Sequence, residues 1–107
     1  MAELKDLDKR YVTQGGATIR VETWIDLRTK NVVRYNLSYV NRKIYAGDNG
    51  RIIGFDNAHH YAEFESDHHY HRFGQVFESA SVQSFEEAIS RFDAVLRRLK
   101  RCYGKEY

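Results

Sequence analysis

All five histidines of this 107-residue chain lie in one window, residues 54–71, with the sequence GFDNAHHYAEFESDHHYH. The first pair follows Asp56 and Asn57, and the second group follows Asp67. Because the imidazole pKa is ordinarily about 6.5, one ring can accept a proton while another donates one near neutral pH. The window therefore contains the residue types that acid–base catalysis requires.

Such a pair of imidazoles suits the cleavage of RNA. One group takes the proton of the 2′-hydroxyl, which attacks the adjacent phosphorus, and the other group protonates the leaving 5′-oxygen. A cation stabilises the charge that develops on the phosphate oxygens. Arg34 and Arg72 are available for that role.

The same residues allow two other uses. His69 and His71 form an HxH pair on one face of a strand. With His59 or Asp56 they would supply three ligands to a divalent metal, whereas acid–base catalysis by histidine needs no cofactor. In the third use the histidines are solvated residues of a surface hairpin, or they bind a partner.

The composition excludes several classes of protein. The chain is long enough for one domain, residues 1–107, and it contains no apolar run that could cross a membrane. It begins with no secretory signal, and its single cysteine, Cys102, cannot form an internal disulfide. These features predict a cytoplasmic protein with no membrane partner.

Charge is unevenly distributed, although the formal net charge is only +2. Residues 1–53 contain ten Lys or Arg against six Asp or Glu, residues 54–87 one against seven, and residues 88–107 six against two. Basic side chains from both ends could therefore surround the histidines and bind phosphate. The acidic segment could equally balance the basic ends on a solvated surface.

Alternating apolar residues predict the strands that position the window. Residues 17–27, ATIRVETWIDL, and residues 32–40, VVRYNLSYV, both alternate with a period of two. Consecutive strands joined by short turns pair antiparallel. The other predicted strand segments are a short strand around Arg10–Thr13, RKIYAG at 42–47, RIIGFDNAHH at 51–60 and HHYHRF at 68–73.

After Ser84 the apolar period becomes that of a helix. Ser84 and Glu87 have the spacing of a capping box, and Gly104 is placed to end the helix. The sequence therefore predicts an α+β fold, an antiparallel β-meander of four to six strands packed against one C-terminal amphipathic helix. On this frame His59 or His60 lies across from the second histidine group, while His68 points away from His69 and His71.

Two motifs, GFDNAHHY and HHYHRFG, with VVRYNLSYV before them and a helix after them, resemble the TumE-like family of toxins from prokaryotic toxin–antitoxin systems. The resemblance runs from Val32 to the end of the helix. It implies a growth-inhibiting ribonuclease that acts on RNA and is encoded beside a DNA-binding antitoxin, its protein partner. The chain departs from the family pattern at Tyr70, where many relatives are basic, and at His60, where glycine is usual.

The resemblance and the residue chemistry together give a predicted site. The predicted catalytic residues are His59, His69, His71 and Asp56, with Asp56 orienting an imidazole. The predicted substrate-binding residues are Arg34, Arg72, Asn57 and His68. Trp24, on the polar side of its strand, fits a homodimer or an antitoxin-binding surface. The alternative function is a non-enzymatic metal- or partner-binding module in which the histidines are ligands.

Overall fold

A computed structural model describes residues 2–57, 66–79 and 82–107. Its elements are β1 (Glu3–Val12), β2 (Thr18–Asp26), β3 (Val32–Val40), a 3-10 turn (Asp48–Gly50), β4 (Arg51–Asp56), β5 (His69–Arg72), β6 (Gln75–Glu78), α1 (Phe85–Tyr103) and a second 3-10 turn (Gly104–Glu106). The six strands pair antiparallel in the order of the sequence, and α1 packs on β3 and β4. The predicted meander covered by one C-terminal helix is therefore confirmed.

The hydrophobic core lies between the sheet and α1. The ring of Phe92 meets Phe55 with centroids 6.3 Å apart, and Phe85 meets Tyr35 at 5.6 Å. The buried apolar residues are Ala17, Tyr35, Leu37, Tyr39, Ile52, Ile53, Phe55, Val82, Ala88, Phe92, Leu96 and Leu99. Alternate residues of β3 enter this core, so their neighbours face away from it. In β4 the alternation holds from Ile53 to Asp56, and Ile52 is also buried where the pairing with β3 shifts.

The helix begins and ends where the sequence predicts. Oγ of Ser84 accepts a hydrogen bond from the Glu87 backbone N–H, and Gly104 follows the last helical residue with φ 43°. Glu87 completes the cap through the backbone N–H of Gln83 rather than that of Ser84. The described part of the chain contains no helix that combines the length and hydrophobicity needed to span a membrane.

Three predicted features of the meander need correction. The short strand expected around Arg10–Thr13 is the end of the ten-residue β1, which is exposed along almost its whole length and so lacks an apolar alternation. Residues 42–47 do not continue the meander, because backbone N–H groups of Ile44 and Tyr45 bond the Asn41 carbonyl in a turn. The four-residue β6 was not predicted, since it is too short to show a period.

The turn DNG ends beside the site described below. Asp48, Asn49 and Gly50 have φ values of 50°, 56° and 82°. Asn, Asp and Gly are the residues that adopt this left-handed region at least cost. This turn delivers Arg51 at the start of β4.

Candidate active site

One face of the sheet is not covered by α1, and we call it the polar face. Phe55 and Tyr35 point toward α1, so the residues beside them in the strands point to the polar face. The strand register aligns these residues in two rows that cross all six strands. The first row is Asp8, Glu22, Asn36, Asp56, His69 and Glu78, and the second is Arg10, Arg20, Ser38, Gly54, His71 and Val76.

Asp56 contacts both histidines of β5. Its Oδ2 lies 2.8 Å from Nε2 of His71, and its Oδ1 lies 3.3 Å from Nδ1 of His69. Since an ionised carboxylate only accepts hydrogen bonds, Nε2 of His71 carries the proton of this contact. Asp56 therefore holds the His71 ring in one orientation.

The two histidines differ in access to solvent. His71 retains 7% of its surface and His69 retains 0%. Of these two histidines, His71 is therefore the one that presents an edge to a substrate. His69 lies behind Asp56 and contacts its second oxygen.

Arg51 faces the other nitrogen of His71. Its Nη2 lies 3.2 Å from Nδ1 of His71, and its Nε donates to Oδ2 of Asp48 at 2.9 Å. A guanidinium has donors only, so Nδ1 of His71 is the acceptor and the ring is neutral in this arrangement. Asp56, His71 and Arg51 thus form one hydrogen-bonded line.

Gly54 makes room for this line. A Cβ at Gly54 would lie 3.1 Å from Cδ of Arg51 and 3.5 Å from Cβ of His71. The Cβ of any larger residue would push the Arg51 stem away by a few tenths of an ångström. The glycine therefore permits the close approach of Arg51 to His71.

A pocket of about 500 Å³ adjoins Arg51 on the polar face. The described residues that line it are Arg10, Thr18, Arg20, Asn36, Ser38, Val40, Arg42, Asp48, Asn49 and Arg51. Four of these are arginines, and Asp48 is the one carboxylate among the described lining residues. The excess of guanidinium groups makes the pocket attractive to phosphate.

Hydrogen bonds through Glu22 fix the wall of this pocket. The Glu22 carboxylate accepts from Nζ of Lys5 at 2.7 Å and from Nδ2 of Asn36 at 2.9 Å. Arg20 lies 3.2 Å from the same carboxylate. Burial alone would raise the pKa of Glu22, but hydrogen bonds from Lys5 and Asn36 and the charge of Arg20 hold that pKa below its usual range. An ionised Glu22 therefore holds Arg20 and Asn36 in place.

His68 lies on the opposite side of the sheet from His71. Its Nδ1 is 2.7 Å from the hydroxyl of Tyr35, and the two rings stack at 5.6 Å. Burial lowers the pKa of His68, so its ring is neutral at pH 7 and the Tyr35 hydroxyl donates to it. The separation of His68 from His69 and His71 follows the predicted alternation. His68 packs against Tyr35 beside the core, and its predicted binding of substrate stays a prediction.

The two arginines predicted to bind phosphate are placed differently. Arg34 lies on the polar face, where its guanidinium stacks on Trp24 at 4.2 Å and Nη2 is 3.6 Å from Glu3. Arg72 pairs with Ile53 in the sheet and therefore lies on the side of α1. The sheet thus separates Arg72 from His71, and the binding of substrate by Arg72 stays a prediction.

Asn57 is occupied by the backbone of β3. Its Oδ1 accepts from the backbone N–H of Tyr35 at 2.9 Å, and its Nδ2 donates to the Val33 carbonyl at 3.0 Å. These two hydrogen bonds thus continue the pairing of β3 with β4 beyond Asp56, the last residue of β4. This geometry gives Asn57 a structural task, and its contact with substrate stays a prediction. His59 and His60 lie outside the described residues.

Sequence reasoning missed Arg51 and the arginines that line the pocket. By simple alternation, Arg51 shares a face with Ile53 and Phe55, which point toward α1. The pairing of β3 with β4 shifts between Tyr39 and Val40, so Val40 faces Arg51. This irregularity brings Arg51 to the polar face, and the sequence carries no clear signal of it.

The contacts of His71 do not suit a metal ion. Nδ1 of His71 faces the positive Arg51, and Nε2 faces Asp56. Among residues 2–57, 66–79 and 82–107, no three His, Cys, Asp or Glu side chains are arranged to hold a metal.

The fold and the polar face define a small α+β protein with a histidine–carboxylate site beside an arginine-lined pocket. A model of the family described as Toxin TumE matches residues 2–101, nearly the whole chain. The chain therefore belongs to the TumE toxin family, which confirms the resemblance seen in the sequence. It is a toxin of a toxin–antitoxin system, and this membership implies an antitoxin partner. Searches of curated proteins and of solved structures returned no match.

Proposed function

We propose that this toxin is an endoribonuclease whose site lies on the polar face at His71. The observation that carries the proposal is the line of Asp56, His71 and Arg51, which ends at the arginine-lined pocket. An oriented imidazole beside guanidinium groups is the combination that cleavage at a 2′-hydroxyl requires.

In the proposed reaction the 2′-oxygen forms a bond to the adjacent phosphorus, and the bond from phosphorus to the 5′-oxygen breaks. Nδ1 of His71 takes the proton of the 2′-hydroxyl. For this step Arg51 transfers its hydrogen bond from Nδ1 to a phosphate oxygen, which frees the lone pair. Asp56 stabilises the imidazolium through Nε2. The products are a 2′,3′-cyclic phosphate and a 5′-hydroxyl.

A second group must protonate the leaving 5′-oxygen. His59 remains the prediction for this acid, on the basis of the sequence motif. His69, predicted to take part in acid–base chemistry, is fully buried, and in this proposal it positions Asp56 instead. The acid–base pair would thus be His71 and His59.

In this proposal the arginines that line the pocket bind the phosphate groups of RNA. Arg10, Arg20 and Arg42 line the pocket beside Arg51, and Arg34 extends the positive surface of the same face. Contacts of this kind bind the RNA backbone and carry no base specificity. The proposal therefore predicts affinity that falls steeply as salt is raised.

The experiment measures cleavage of a single-stranded RNA by wild type and His71→Ala, each with and without EDTA. Arg97→Ala is the control, because Arg97 pairs with Asp93 on an exposed part of α1 away from the site. Wild type and Arg97→Ala should cleave equally well in EDTA. His71→Ala should cleave RNA at least about 10²-fold more slowly than wild type.

Three outcomes would reject this proposal. Unchanged cleavage by His71→Ala would remove His71 from the chemistry, and cleavage abolished by EDTA would indicate a metal-dependent nuclease. Stoichiometric zinc binding with no cleavage by wild type would support the binding module with histidine ligands. The melting temperature of each variant shows whether a loss of cleavage comes from loss of the fold.

A further inference from the structure

A second groove lies on the other side of the sheet, between α1 and β5. Two adjoining pockets of about 250 and about 350 Å³ share Tyr70, Arg72, Val95 and Arg98 as lining residues, and Arg91 lines the larger one. We call these five residues the arginine groove. The proposed ribonuclease chemistry makes no use of it.

The arginine groove is positively charged. Arg72, Arg91 and Arg98 are all exposed, and within the described chain no ion pair involves any of them. The described lining residues include no Asp or Glu. Arg72 and Arg98 line both pockets together with Tyr70. Burial raises the pKa of Tyr70, and the charges of Arg72 and Arg98 oppose that rise.

The floor of the groove is apolar, because Phe55, Leu99 and Val95 line its pockets. An exposed aromatic ring adjoins the groove beside Tyr70. Phe77 is 44% exposed, and its ring lies 6.0 Å from that of Tyr70. Arg, Tyr and Phe together around an apolar centre are typical of protein–protein interfaces, whereas nucleic-acid sites are more polar.

We propose that the arginine groove binds the antitoxin through an acidic segment that also carries an apolar side chain. The carboxylates of this segment pair with Arg91 and Arg98, and its apolar side chain covers Tyr70 and Phe77. Charge complementarity selects this occupant. The inference rests on membership in the toxin family and not on the ribonuclease chemistry.

The position of the groove has a consequence for inhibition. The arginine groove and His71 lie on opposite sides of the sheet, so a segment bound in the groove leaves the polar face uncovered. RNA and this segment of the antitoxin can therefore bind together. Substitutions in the groove should weaken antitoxin binding without slowing RNA cleavage.

The test measures the dissociation constant of the full-length antitoxin, the product of the neighbouring gene, for the full-length toxin by calorimetry. The toxins are wild type, Arg91→Glu, Arg98→Glu and, as control, Arg97→Glu. Arg97 is the sequence neighbour of Arg98 but is paired with Asp93 and does not line the groove. Arg98→Glu and Arg91→Glu should each raise the dissociation constant at least about tenfold, and Arg97→Glu less than about twofold.

A parallel measurement follows binding of a 2′-deoxy oligonucleotide, which the proposed chemistry cannot cleave. If the groove variants weaken oligonucleotide binding and leave antitoxin binding intact, the occupant is RNA and the inference is overturned. Equal antitoxin binding by all four toxins overturns it as well. Weakened antitoxin binding by the groove variants, together with no RNA cleavage by wild type, would support the groove while rejecting the ribonuclease.

Discussion

The two faces of the sheet are made from alternate residues of the same strands, yet they differ in chemistry. In β5, His69 and His71 face one way and contact Asp56, while Tyr70 faces the other way and packs beside Phe55. The helix side combines apolar burial with a positive groove. The polar face combines a buried carboxylate, an imidazole and arginines.

This difference divides a cluster that looks continuous in the sequence. Neighbours in the window, His68 and His69, are separated by the sheet because the side-chain period of a strand is two. Substitutions on the helix side should act mainly on stability, and those on the polar face mainly on catalysis. The first three predictions below test that division, and the fourth tests the charge that holds the pocket wall in place.

The largest expected effect is on the helix side. Phe92→Ala removes a buried ring that meets Phe55, and should lower the free energy of unfolding by about 3–5 kcal/mol. The folded fraction should cleave RNA at the wild-type rate. Urea denaturation, together with activity normalised to folded protein, measures both quantities. A large loss of activity per folded molecule would contradict the division.

Next in size is Asp56→Asn on the polar face. The amide keeps the shape but loses the charge that orients His71 and stabilises its imidazolium. Cleavage should slow by about 10²-fold or more. Because Asp56 is buried, the free energy of unfolding should also fall by about 1–3 kcal/mol. A rate close to wild type in single-turnover assays would show that Asp56 has no part in catalysis.

A smaller effect should follow from Gly54→Ala. The added methyl group meets Cδ of Arg51, a flexible stem, so the fold should survive while Arg51 moves away from His71. We expect cleavage to slow by about tenfold with little change in melting temperature. If the rate is unchanged, the contact between Arg51 and His71 is not needed.

The smallest expected effect concerns Glu22. Its folded pKa lies below the ordinary value of 4.5, so its ionised form adds stability that is present above pH 4.5 and lost as pH falls through the folded pKa. Glu22→Gln should therefore lower stability at pH 7 by about 1 kcal/mol, and the difference from wild type should vanish at low pH. Denaturation curves at several pH values measure this convergence. A pH-independent difference would point to packing instead of charge.

Much of the fold follows from the sequence, because strong patterns reflect burial. The alternation of β2 and β3 and the helical period of α1 each mark a face that packs on the core. The edge strand β1 gives no such pattern, since solvent reaches both of its faces. The prediction of a strand at residues 42–47 was wrong, because Ile44 and Tyr45 pack against the core from a turn.

The site was less predictable than the fold. Residue types and alternation together indicated His69, His71 and Asp56. Arg51 depends on a shift in strand pairing, and Asn57 is engaged by backbone atoms of a different strand. The local sequence indicates neither contact, so both could be identified only from the structure.

The central claim is that the polar face carries the chemistry, and two arginines on opposite faces test it most directly. Arg51 contacts His71, whereas Arg72 lies on the side of α1. The measurement is the single-turnover rate of RNA cleavage by wild type, Arg51→Ala and Arg72→Ala. We predict a rate about 10²-fold lower for Arg51→Ala, and a rate within about twofold of wild type for Arg72→Ala. A slow Arg72→Ala with an unimpaired Arg51→Ala would contradict the account.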